Sequence, residues 1–178
     1  MDRFKLLARF CFIFCLAANV LAGNRPAALT LTAGVGTLDF ASKRHLENAG
    51  LGFIGAGYDF TYHWGIDSIL GFFTTPSHNP LDHGKQVNGT LFALDALYRF
   101  SPYRNFEPYV LAGPGIMGLS PNGNDPNNEG NINAGVGTQF FFDKSFAFRI
   151  EARDFYTITG GKNDLMFDGG VTYLIDIC

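Results

Sequence analysis

The segment FAFRIEARDFY, residues 146 to 156, sets Arg149, Glu151 and Arg153 on every second position between Phe146, Phe148, Ile150 and Ala152. Side chains of a strand alternate between two faces, whereas a helix would scatter this pattern around its circumference. The segment therefore reads as a two-faced strand, apolar on one side and charged on the other. Which face is the interior separates a water-soluble barrel from a membrane barrel, because the two bury opposite stripes.

Working outward, the same alternation recurs. In NINAGVGTQFFF, Ile132, Ala134, Val136, Phe140 and Phe142 oppose Asn131, Asn133, Gly135, Gly137 and Gln139. In TLFALDALYRF, Phe92, Leu94, Ala96, Tyr98 and Phe100 oppose Asp95 and Arg99, although Leu91 and Leu97 share the charged face. In GFIGAGYDFTY, Ile54, Ala56, Tyr58, Phe60 and Tyr62 oppose Gly55, Gly57, Asp59 and Thr61. Near the start, Leu29, Leu31, Ala33 and Val35 oppose Thr30, Thr32, Gly34 and Gly36, with Leu38 and Phe40 out of place on the polar side. IDSILGFFT and EPYVLAGPGIMGL do not fix their own phase, and Pro108 and Pro114 each remove a ladder donor, so a bulge or kink is expected there.

Eight such runs follow residue 28: Leu29 to Phe40, Leu51 to Tyr62, Ile66 to Thr74, Thr90 to Phe100, Glu107 to Leu119, Asn131 to Phe142, Phe146 to Tyr156 and Leu165 to Ile175. Most approach or exceed the roughly 9 to 11 residues that a tilted strand needs to cross a bilayer. The separators HWG, SPYRNF and DKS are short, while ASKRHLENAG, TPSHNPLDHGKQVNG, SPNGNDPNNEGN and TITGGKND are longer and polar. Short turns alternating with long loops predict an all-β, eight-stranded, antiparallel up-and-down transmembrane barrel, with the short turns and both termini on the periplasmic side.

Ahead of the barrel, MDRFKLLARFCFIFCLAANVLAG has a basic start, an apolar run from Phe10 to Leu21 and small residues at its end. This is the layout of a cleaved secretory signal peptide, which divides the chain into residues 1–22 and a barrel domain at 23–178. The cut removes Cys11 and Cys15, so no disulfide forms within the mature chain and no cysteine metal site can be built. Removing Arg3, Lys5, Arg9 and Asp2 from 13 basic and 16 acidic residues leaves 10 and 15, a formal net charge of −5. A mildly acidic exported domain is a poor nucleic-acid binder, and no such partner is expected.

Two features choose the inner face. The polar stripe is rich in glycine, threonine and asparagine, which fit the narrow interior of an eight-stranded barrel. The apolar stripe is large and aromatic near the short turns, with Phe60, Tyr62, Trp64, Tyr98, Phe100, Tyr103, Phe140, Phe142, Phe146 and Tyr173, like the girdle at a membrane interface.

With its strands so placed, the chain resembles the OmpA-type outer-membrane beta-barrel domain of Gram-negative bacteria. The residues that carry the resemblance are LFALDALYRF, FEPYVLAGPGIMGL, NAGVGTQFFF, FAFRIEARDFY and GGKNDLMFDGGVTYLI, spanning about residues 28 to 175. DGGVTYLI also fits the terminal-strand signal of such barrels, with Asp168, Gly170, Tyr173 and Ile175 in the diagnostic places. The resemblance implies that the barrel-assembly machinery reads this signal, that lipid and lipopolysaccharide surround a monomeric barrel, and that ion pairs plug the interior or leave it narrowly conducting. The chain closes on Cys178 where an aromatic residue is usual. It also stops where many relatives continue into a peptidoglycan-binding domain, so no cell-wall anchoring is expected.

Under this reading Asp59, Asp95, Arg99, Arg149, Glu151, Arg153 and Asp168 form a lumen network, with Asp67 and Glu107 less firmly phased. Buried charges must pair, and the arginine fork can bridge carboxylates from two strands. The expected role is structural or surface-interacting. The alternatives are a narrow ion or small-solute pore, a rim hydrolase using Ser77, His78, Asp82 and His83, and a soluble barrel binding an apolar ligand. Proximity in sequence does not supply catalytic geometry, and His78 and His83 have no further clear metal ligand nearby. No enzyme activity, cofactor or metal is expected. GVG at 34 to 36 and 135 to 137 precedes no helix that could receive a phosphate, and NGT at 88 to 90 is treated as a chance triplet.

Overall fold

Alternation becomes geometry in the computed structural model, which describes residues 23–77, 86–121 and 127–177. Its strands are β1 (Ala28–Asp39), β2 (Ala49–Asp59), β3 (Trp64–Pro76), β4 (Gln86–Arg99), β5 (Phe106–Pro121), β6 (Asn127–Phe141), β7 (Phe146–Thr157) and β8 (Lys162–Asp176). Each pairs antiparallel with its neighbour in sequence, and β8 returns to β1 to close the barrel. The closing ladder runs from Ala28 opposite Asp176 to Asp39 opposite Leu165. Closure leaves no free sheet edge, which is what allows a sheet to stand in lipid with its backbone groups paired.

Several strands are longer than the apolar runs suggest. β4 starts at Gln86 instead of Thr90 and β6 at Asn127 instead of Asn131, while β5 extends to Pro121. Asn88 pairs with Ser120 and Asn127 with Leu119. Polar residues extend a ladder readily when a neighbour offers free backbone groups, because pairing uses only the main chain. The last separator shrinks to residues 158–161, where Gly160 and Gly161 take φ of 90° and 57° and make the tight turn that a side chain would strain.

The expected bulge on β5 is absent. Ala93 opposes Gly115 and Ala96 opposes Ala112, so the register is the same on both sides of the lapse. The β4 ladder simply breaks at Gly113 and Pro114, while both residues remain paired with β6. Proline costs a bond here without inserting a residue.

Outside, the barrel carries Leu31, Ile54, Phe92, Val136, Phe148, Ile150 and Val171, all exposed. Near the short turns Phe60, Tyr62, Trp64, Phe100, Tyr103, Phe142, Phe146 and Tyr173 are exposed as well, with Tyr98 and Phe140 half-buried. Trp64 packs against Tyr98 at 4.9 Å, and Phe146 against Tyr173 at 4.7 Å. The inner face is divided. Towards the loop end it is apolar, with Leu38, Phe40, Leu51, Phe53, Ile69, Phe73, Leu91, Met117, Phe155 and Met166 in one cluster. Charged residues occupy the middle and the short-turn end, and a smaller charged cluster caps the loop end.

Candidate functional site in the barrel interior

The β7 arginines anchor the charged half. Arg149 Nη1 donates to Asp67 Oδ2 at 2.8 Å and its Nη2 to Glu151 Oε2 at 2.7 Å. Arg153 pairs with Glu151 through Nε and with Asp95 through Nη1. The Tyr109 hydroxyl donates to Glu151 Oε2 at 2.6 Å, and Asn133 Nδ2 donates to Asp95 Oδ1 at 2.8 Å. Alternation on β7 places all three charged residues inward, and the antiparallel order brings β3, β4, β5 and β6 around them.

A second group closes the short-turn end. Arg99 pairs with Asp59 and lies 3.3 Å from Glu107 Oε1. The Asn24 backbone N–H donates to Glu107 Oε2 at 3.0 Å, so the segment before β1 folds across this mouth. Across the closing seam, Thr32 and Thr172 share a hydroxyl hydrogen bond of 3.0 Å.

Asp168 is different. It lies on the inner face opposite Glu151, only 6% exposed, and neither of its carboxylate oxygens has a hydrogen-bond partner. The middle and short-turn end of the interior thus hold six buried carboxylates (Asp59, Asp67, Asp95, Glu107, Glu151 and Asp168) and three buried guanidiniums (Arg99, Arg149 and Arg153) among the described residues.

The loop end carries a cluster that sequence reasoning missed. Arg44, on a single 3-10 turn at Ser42–Arg44, has a side chain only 2% exposed. Its Nε donates to both Asp164 oxygens at 2.8 Å, its Nη1 to Glu129 Oε2 at 2.6 Å and its Nη2 to Thr157 Oγ1 at 2.8 Å. Lys162 Nζ adds a 2.6 Å bond to Glu129 Oε1. Arg44 and Asp164 lie in separators without periodicity, so no sequence signal marks them as partners. Tyr109 was hidden because β5 is apolar in both phases at Val110 and Leu111.

Of the residues weighed for hydrolysis, Ser77 is buried and forms a bridge with Leu46. His78, Asp82 and His83 lie outside the described residues, as does Cys178. Among the described residues no three His, Cys, Asp or Glu side chains gather as a metal site. In the terminal strand, Tyr173 and Ile175 project to the outer face while Gly170 lies beside Ala33 of β1.

A closed antiparallel barrel with an apolar outer band, an aromatic rim and charges inside is a membrane-spanning β-barrel. The chain belongs to the outer membrane protein beta-barrel domain family, which matches residues 8–173. It is a barrel of the outer membrane. Among solved structures it is similar to the N-terminal β-barrel of Pseudomonas aeruginosa OprF, at 20% identity and a TM-score of 0.63 over 85% of this chain and 100% of that one. Pseudomonas aeruginosa OprG gives 12% identity and a TM-score of 0.68 over 87% and 99%. Ail of Yersinia pestis gives 15% and 0.60 over 84% and 99%. At these identities the likeness is one of fold. No curated protein sequence matches the chain.

Proposed function

We propose that this barrel is a closed structural or surface-interaction element of the outer membrane, its interior acting as a plug. The observation that supports this best is the layering of the interior, where an apolar cluster around Phe53, Phe73 and Phe155 sits above the arginine network. An ion would meet an apolar layer and then a set of charges of which all but Asp168 are already in ion pairs. Planar-bilayer recording tests the reading. It expects no channel events above background, and steady unitary currents would replace it with the pore.

A narrow cation pore is the second reading, favoured by the excess of interior carboxylates and by Asp168 without a bonded partner. Its currents would select cations, and Asp168→Asn would reduce them.

We further propose that residues 1–22 are removed before Gly23 and that Gly170, Tyr173 and Ile175 present the assembly signal. Lipopolysaccharide would surround the outer half of a monomer. The intact mass of the exported protein tests the cut, and a mass retaining residues 1–22 would reject it.

A further inference from the structure

We infer that the periplasmic mouth carries a binding site for the phosphodiester of an anionic glycerophospholipid in the surrounding leaflet. The site is a cavity of about 420 Å³ lined by Arg25, Tyr62, Pro102, Arg104 and Lys144, with Gly23 and Asn24 at its inner wall. Three cations converge there from three separate segments: the N-terminal stretch, the β4–β5 turn and the β6–β7 turn.

Two of the three cations are left without an acidic partner among the described residues. Arg25 is pinned, donating to Asp176 Oδ2 at 2.5 Å and to the Lys144 carbonyl. Neither Arg104 nor Lys144 forms an ion pair among the described residues. The Asp143 carboxylate beside Lys144 instead accepts from the Ser145 backbone N–H at 3.1 Å. Arg104 has φ of 59°, a left-handed conformation that a non-glycine residue adopts at a cost, and its guanidinium lies 5.6 Å over the Tyr103 ring. Stacked in this way it keeps its N–H groups free for an anion, and the guanidinium fork suits phosphate oxygens.

Depth selects the anion. Tyr62 and Tyr103 belong to the exposed aromatic rim, which lies at the level of the lipid headgroups. A phosphodiester tethered by its acyl chains is held at that level, and the rings of Tyr62 and Pro102 offer an apolar wall to its glycerol. A free phosphate would gain nothing from that wall.

Trp64 is the single tryptophan and is exposed on the same rim, so its fluorescence reports nearby lipid. The barrel would be refolded into vesicles in which brominated-chain phosphatidylglycerol or phosphatidylcholine quenches Trp64. The expected result is preferential quenching by phosphatidylglycerol, weakened about fivefold for each cation removed. Arg104→Asn with Lys144→Gln should abolish the preference, asparagine being chosen because it tolerates the left-handed turn. Lys43→Gln at the opposite mouth should leave it intact. Equal quenching by both lipids, or a preference that survives the double variant in a heat-modifiable and therefore folded barrel, would overturn the site. Loss of the preference in millimolar inorganic phosphate would reassign it to free phosphate.

Discussion

Glu151 is the residue on which the interior turns, since it accepts from Arg149, Arg153 and Tyr109 at once. Removing a partner from a buried ion pair strands the other charge, at a cost of roughly 3 to 5 kcal/mol. Arg149→Ala should therefore lower the melting temperature in detergent strongly, because Asp67 and Glu151 both lose their hydrogen bonds to it. Tyr109→Phe removes a single bond to a charged acceptor and should cost only about 1.5 to 3 kcal/mol. Equal melting of the wild type and Arg149→Ala would argue against the network as a stabilising element. These two residues also show the reach of sequence reading. Arg149 was legible because its neighbours alternate in polarity, whereas Tyr109 sits among apolar residues that fit either face.

Segments outside the ladders do more closing than their sequences suggest. The loop between β1 and β2 is latched by Arg44 to Glu129 and Asp164, on strands β6 and β8. Glu129 stands beyond Ile132, the outermost apolar residue on the outer face of β6, and so lies outside the membrane band. Burial alone would push its carboxyl up, yet hydrogen bonds from Lys162 and Arg44 hold it below the ordinary value of 4.5. A carboxyl depressed on folding stabilises fully above its unfolded value and loses that contribution as pH falls through the folded one. Proteolysis within residues 40–48 should therefore rise below roughly pH 4. Arg44→Gln should be open at neutral pH and show a flatter pH response. A loop cut equally at pH 7 and pH 3 in the wild type would dismiss the latch.

The segment before β1 makes a similar closure at the other mouth. A β-carbon on Gly23 would lie 3.8 Å from Glu107 Oε2, so a cut before Gly23 would set the new α-ammonium near that carboxylate. N-acetylation of the mature chain should then lower its melting temperature in the wild type and change little in Glu107→Gln. An equal effect in both would separate the terminus from the carboxylate.

At the scale of the whole molecule, the strand order and inner face were legible because period-two alternation survives in most strands. The apolar half of the interior was not, since Leu38, Leu91 and Leu97 looked like misplaced residues on a polar stripe when each was read within its own strand. Only closure shows that Leu38 and Leu91 meet in one cluster. Closure itself rests on the β1–β8 seam, and Gly170, opposite Gly34, is one of its tight points. A β-carbon there would come within 2.6 Å of the Ala33 carbonyl oxygen, a backbone atom that cannot swing away. One residue earlier, a β-carbon on Gly169 would meet atoms no closer than 3.7 Å. Gly170→Ala should thus impair refolding from urea into detergent, with loss of the heat-modifiable band, while Gly169→Ala refolds. Because no assembly machinery is present in that experiment, a refolding defect belongs to the seam and not to the signal. Normal refolding of Gly170→Ala in vitro, with failure only in cells, would instead assign Gly170 to recognition by the machinery.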